Sequence, residues 1–279
     1  MDISKKMPLS IFCCIIIFTA LQITASDLLQ ISDYIANEAE NITSKDFKKM
    51  LQIKSAELYR LYANNNDSEK AALALLNASK LLLRTSDDNA IADAFVCATI
   101  VLKKYEKTSF APQAMLLLGE IYLKMKEYGR AIKTWIECAD KYPSASEVAS
   151  QSLLNAGDTF KKSIKNKPEA VKQYSRIIEI YPSSPVCAKA YMNRAEIYAD
   201  DKKFDLSVQD YLSISRKMPT NELADAAMYS AIDITKNEIK DYKTTYEMVV
   251  EFKQKFPNSS YLKKVEKIEA QVVKYASNL

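Results

Sequence analysis

Few residues in this chain are of a kind that does covalent chemistry, and their spacing argues against it. The 279 residues contain no histidine. That removes Ser-His-Asp and Cys-His arrangements, His-ligated metals and the usual general base. The carboxylate pairs Asp87-Asp88 and Asp200-Asp201 have the residue type for acid and base work. Both fall at expected helix ends or turns, where capping and solvation explain them. Beyond the first 25 residues the cysteines are Cys97, Cys138 and Cys187, an odd number that leaves at least one thiol unpaired in the monomer. None has the partner spacing of a zinc knuckle or redox motif, and Cys138 reads as a small apolar core residue. A Cys97–Cys187 bridge is neither required nor forbidden. No catalytic residue, metal or cofactor is expected.

What remains is a chemistry of recognition. Leu116, Leu154, Met192 and Met228 are each followed four residues later by Glu120, Asp158, Glu196 and Ile232. Residues four apart share one helical face. Stacked helices would therefore draw an apolar row beside an acidic one, suited to a protein or peptide segment with apolar anchors and basic residues. The same pattern also fits an apolar row packed between helices with solvated acids beside it, and both readings stay open.

The elements that must position these rows are helix pairs. From Pro112 to Pro143, Met115, Leu118, Tyr122 and Met125 lie on one face of a first helix, and Ala131, Trp135 and Cys138 on one face of a second. Glu127-Tyr128-Gly129-Arg130 reads as the turn between them, and Gly119 and Ala131 are small where the helices would cross. Pro143 stops the second helix. The pattern returns as Gly157, Phe160, Ala170, Tyr174 and Pro182, with one extra residue in the turn around Lys167-Pro168. It returns as Ala195, Tyr198, Ser207, Tyr211 and Pro219, and more loosely as Ala231, Ile234, Thr245, Val249 and Pro257, with two extra turn residues. Ser144, Ser184, Thr220 and Ser259 in the linkers are placed to cap the helices that follow.

Leu118, Gly119, Tyr122, Ala131, Trp135 and Pro143 match in type and spacing the signature of the tetratricopeptide repeat, which this chain resembles. The resemblance implies an all-α fold, a right-handed superhelical solenoid of antiparallel helix pairs, whose first helices line a concave surface that holds peptide ligands. It further implies a non-enzymatic scaffold for protein–protein interaction. Members that bind chaperone tails present Lys and Asn or Arg to a C-terminal carboxylate, a mode the acids at Glu120, Asp158 and Glu196 would oppose. The aromatic-Pro-Ser linkers are similar to those of exported bacterial envelope proteins, the Tol-Pal-associated repeat protein and the repeat lipoprotein of β-barrel assembly. That similarity implies a periplasmic or envelope location, with a structural subunit of such an assembly as the alternative role.

The expected organisation runs from a signal peptide at 1–25 to a capping helix at 259–279. Lys5-Lys6, an apolar run and Ala25 suggest cleavage before Ser26, an uncleaved membrane anchor being the alternative. A helical pair follows at 26–66, a divergent repeat at 67–110 and four repeats at 111–258. The last helix turns Tyr261, Leu262, Val265, Ile268, Val272 and Tyr275 inward and keeps a charged outer face, as the end of a repeat stack requires. Losing Lys5, Lys6 and Asp2 with the first 25 residues would lower the net charge of +4 by one, to +3. Such a near balance demands neither nucleic acid nor an anionic membrane as partner.

Overall fold

The computed structural model describes residues 24–85 and 87–276, so the expected signal segment lies outside the described residues except for Thr24 and Ala25. The described residues form thirteen α-helices and no strand. They fall into two compact units, Met1–Glu127 and Tyr128–Leu279. The first holds α1 (Ala25–Glu40), α2 (Lys45–Asn64), α3 (Glu69–Arg84), α4 (Asp88–Lys104) and α5 (Ala111–Lys124). The second holds α6 (Tyr128–Lys141), α7 (Ser146–Thr159), α8 (Lys167–Ile180), α9 (Cys187–Asp200), α10 (Phe204–Lys217), α11 (Ala224–Ile234), α12 (Tyr242–Lys255) and α13 (Leu262–Ala276). Within each unit every helix packs on the next, the consecutive-pair architecture that the sequence pattern predicts.

In the first unit, α1 opens on a capping box. The Thr24 hydroxyl accepts from the Asp27 amide at 3.3 Å, and the Asp27 carboxylate accepts from the Thr24 amide at 2.8 Å. Cleavage after Ala25 would remove this cap. Buried serines mark the places where helices cross: Ser55 on α2 donates to the Ser32 carbonyl on α1, and Ser79 on α3 to the Ala94 carbonyl on α4, each at 2.8 Å. A serine is small enough for close approach, and its hydroxyl finds an acceptor on the facing backbone. Leu75, Leu76, Ala94, Ala98, Val101 and Ile121 fill the core around them.

The second unit repeats the device. Gly157 on α7 faces the fully buried Tyr174 on α8, and a Cβ at that glycine would fall 2.6 Å from the ring. Ala195 on α9 meets Ser207 on α10, whose hydroxyl donates to the Ala195 carbonyl at 2.9 Å. Ala231 on α11 and Thr245 on α12 are likewise fully buried. At the C-terminal end, Val265, Ile268 and Val272 of α13 sink into this core. Tyr275, expected to face inward, is half exposed and stacks on Tyr242 with ring centroids 4.5 Å apart.

The turns depart from the sequence reading. Gly129 is not a turn residue: it sits inside α6 with open space where a side chain would be. The left-handed residue of each turn is instead a lysine, Lys126, Lys165, Lys202 and Lys240, with φ of 61°, 61°, 59° and 64°. Each stands five residues before the small residue of the second helix, Ala131, Ala170, Ser207 and Thr245. After α9 the Lys203 amide bonds the Tyr198 carbonyl at 2.8 Å and the Lys202 amide the Ala199 carbonyl at 2.9 Å, a Schellman ending with lysine in the place glycine favours. Because the spacing after the lysine is constant, the extra residues of the second and fourth repeats lie before it. They are absorbed as π-helical turns, Phe160–Ile164 and Thr235–Ile239.

The linker serines do not cap helices either. α7, α9 and α13 start two or three residues after Ser144, Ser184 and Ser259. Ser184 accepts from the Val186 amide at 3.3 Å and lies 2.6 Å from Ser150 on α7. Ser259 accepts from the Tyr261 amide at 3.1 Å and donates to Asp225 on α11 at 2.7 Å. Both serines shape the turn and tie the linker back to the preceding first helix.

One charge pair is buried in this unit. Arg194 on α9 grips Asp210 on α10 with two bonds of 2.8 and 2.7 Å and donates to Ser175 on α8 at 2.7 Å, with Tyr191 and Tyr198 beside its guanidinium. Asp210→Ala would leave Arg194 buried without its partner and should cost about 3–5 kcal/mol. Joint replacement of Arg194 and Asp210 by leucine should cost much less in the same denaturant titration; equal losses would mean the pair is not desolvated. Lys202→Gly should raise stability by about 1 kcal/mol, because glycine occupies the left-handed region without strain. A loss on that substitution would show that the lysine side chain itself supports the turn.

Candidate partner-binding face

The predicted rows lie on the first helices α5, α7, α9 and α11. In the first unit Leu116 and Glu120 are half-buried on α5. Burial holds the Glu120 carboxyl above its usual range, partly opposed by the Lys80 ammonium.

In the second unit the apolar row divides. Leu154 is 2% exposed and Met228 is 0% exposed, both within the core. Neither can take an anchor from a partner, which corrects the expectation for these two residues. Ile232 is fully buried as well. Met192 is half-buried and lies at the core margin.

The acidic row divides too. One oxygen of Asp158 accepts from the Tyr174 hydroxyl at 2.7 Å and from the Asn193 amide nitrogen at 2.8 Å, and the other from Lys162 at 3.0 Å. A single carboxylate on α7 thus holds α8 and the first helix of the next repeat. Desolvation, and then the bond to Asp158, push the Tyr174 phenol far above its ordinary value. Asp158 is a structural pin and not a free acid. Glu196 behaves differently: its side chain is 48% exposed and pairs with Lys161 from the preceding repeat.

Residues that the sequence reading passed over complete this face. Lys161 and Lys162 stand three and four residues after Asp158, a spacing that foretells an ion pair on a helix. Lys189 is exposed on α9, and Gln151 donates to Asn155 at 2.8 Å on α7. The accessible surface is therefore mixed in charge, with Met192 as its apolar element. An exposed pair such as Lys161–Glu196 is worth about 0–1 kcal/mol, so its members can exchange one another for charges on a partner at little cost. The bonds of Asp158 cannot be exchanged without disturbing Tyr174.

The thiols offer no competing chemistry. Cys97, Cys138 and Cys187 are buried thiols, and no Cys97–Cys187 bridge is present. Burial pushes the Cys97 thiol up to about 11 and raises the other two, which keeps all three protonated and weakly nucleophilic. Among the described residues no group of His, Cys, Asp or Glu converges as metal ligands would.

The chain matches the family described as Tetratricopeptide repeat at residues 113–145 and 151–184. No curated protein matches it. Solved structures similar to it include the Assembly Chaperone of RpL4 (Acl4), residues 1–338, at 11% identity and TM-score 0.44, covering 92% of this chain and 98% of that one. Another is the TPR2AB-domain:pHSP90-complex of yeast Sti1, at 15% identity and TM-score 0.34, covering 88% of this chain and 99% of that one.

Proposed function

We propose that the chain is a non-enzymatic scaffold that holds a segment of a partner protein against the first helices of its repeats. Tetratricopeptide repeats in general present extended surfaces for protein partners. The observation that carries the reading is the part of the first-helix face that the core leaves free: Met192 and Glu196 on α9, beside Lys161 in the π-helical turn that follows α7. Met192 receives an apolar side chain of the partner, Glu196 a basic one, and Lys161, released from Glu196, an acidic one. Buried apolar contact supplies affinity, and the exposed charges set approach and register.

The scaffold works in the bacterial cell envelope on this reading, as Lys5-Lys6, the apolar run and Ala25 support. The aromatic-Pro-Ser linkers support a second role, a subunit of a β-barrel assembly or Tol-Pal type complex. In that role the chain would co-purify with membranes through its partners, whereas a free scaffold would fractionate as a soluble protein.

A photo-crosslinking residue placed at Met192 should capture a discrete partner in cells, and one at Lys172 on the exposed face of α8 should not. Against the captured partner, Glu196→Lys should slow association and weaken its salt dependence without unfolding the chain. Asp158→Ala should instead lower stability by about 1–3 kcal/mol, since it leaves the buried Tyr174 hydroxyl without its acceptor. Equal capture at both positions, or unchanged kinetics for Glu196→Lys, would refute this surface.

A further inference from the structure

The first helical pair, α1 with α2, carries the contacts that seat one repeat on the next in the second unit. Ser55 on α2 donates to the Ser32 carbonyl on α1, the same crossing that Ser207 makes with Ala195. Asp33 follows Ser32 as Asp158 follows Gly157, and Tyr59 stands four residues after Ser55 as Tyr174 does after Ala170. Asn77 stands two residues before Ser79, as Asn193 does before Ala195. The bonds recur with the residues. The Tyr59 hydroxyl donates to Asp33, and the Asn77 side chain hydrogen-bonds that hydroxyl from α3. In the second unit the Tyr174 hydroxyl donates to Asp158 at 2.7 Å, and Asn193 on α9 bonds Asp158 at 2.8 Å and meets the hydroxyl too. Burial first, and then the carboxylate, raise both phenols, and the asparagine opposes them in both places. The corresponding positions elsewhere form no such set. They are Lys80, Ala98 and Leu117 in the first unit, and Ile232, Val249 and Ile268 at the C-terminal end. Between α9 and α11 they are Glu196, Tyr211 and Tyr229, and the buried Tyr211 bonds neither of the other two.

We propose that α1 and α2 are a repeat of the same kind as α7 and α8, and that Asp, Tyr and Asn form a latch used once in each unit. The carboxylate on a first helix is held by the tyrosine of its own second helix. The asparagine of the following repeat then docks on that pair, which fixes the distance and register of two successive first helices. In the first unit the latch joins α1 to α3. In the second it joins α7 to α9, the junction across which Lys161 meets Glu196. Hydrogen bonds are directional, whereas apolar contact is not, so helices packed without the latch are left to slide by small amounts. Changes of curvature therefore fall at the α3–α5 and α9–α11 junctions, while α1–α3 and α7–α9 move as blocks.

The test is native-state hydrogen exchange on the full chain, read by mass spectrometry. Tyr59→Phe keeps the ring and removes the hydroxyl, and it should speed exchange about tenfold in both α1 and α3 while the second unit is unchanged. Tyr174→Phe should do the same to α7 and α9. Tyr211→Phe removes a hydroxyl at an unlatched junction and should change nothing. Asn77→Ala should speed exchange in α3 about tenfold. Joined to Tyr59→Phe it should add little, well short of the roughly hundredfold change that two independent contacts would give. Three results would overturn the proposal: Tyr59→Phe as silent as Tyr211→Phe, faster exchange confined to α2, or effects of Tyr59→Phe and Asn77→Ala that multiply.

Discussion

Tyr174 lies so near Gly157 that any side chain at the glycine would have to displace the ring, and the ring is not free to move. Its hydroxyl is held by Asp158, the residue after the glycine, and the same carboxylate oxygen accepts from Asn193 in the following repeat. The close approach of two helices within one repeat and the seating of the next repeat are therefore one constraint. The neighbouring crossings meet the same demand with other means, Ala195 against Ser207 and Ala231 against Thr245. The buried Arg194–Asp210 pair then joins the second and third repeats through Ser175. Small residues set the spacing, and hydrogen bonds beside them set the register.

This division of labour decides what is left for recognition. Side chains that satisfy buried groups, such as Asp158, are committed to the fold, because a lost partner leaves a desolvated donor behind. Side chains that pair in solvent, such as Glu196 with Lys161, are bound to one another only weakly. A partner competes with the second kind and not with the first. The same distinction separates Lys202 and Lys240, which form no ion pair among the described residues, from Lys167, which two acids hold.

Much of the fold is written in the sequence at a level that physical reading recovers. Periodicity gives the helices, Gly157, Ala195 and Ala231 give the crossings, and the prolines give the ends. Ser79, inside the divergent repeat expected at 67–110, stands at a real crossing, held by its bond to the Ala94 carbonyl. The binding face was less legible. Spacing places Leu154 and Asp158 on one helical face but says nothing of which neighbouring helix covers that face, and both turned out to be covered. Turn chemistry failed for a different reason. Gly129 carries the usual turn signal and is helical, whereas the left-handed residues are lysines, which carry no such signal. Spacing alone places the inserted residues in turns, because a regular α-helix has no room for an extra residue in its bonding pattern. A π-helical turn accommodates them without breaking.

The measurement that bears most directly on the shared constraint is native-state hydrogen exchange on Gly157→Ala. Alanine should gain about 1 kcal/mol in helix propensity, against about 1–3 kcal/mol for overpacking a ring that cannot retreat. The expected result is a net loss of stability, with protection falling first in α7, α8 and α9 and last in α12 and α13, because each repeat contacts mainly its neighbours. A variant as stable as the parent, or one that loses protection evenly along the second unit, would contradict the claim that the Gly157–Tyr174–Asp158 contact sets the local packing.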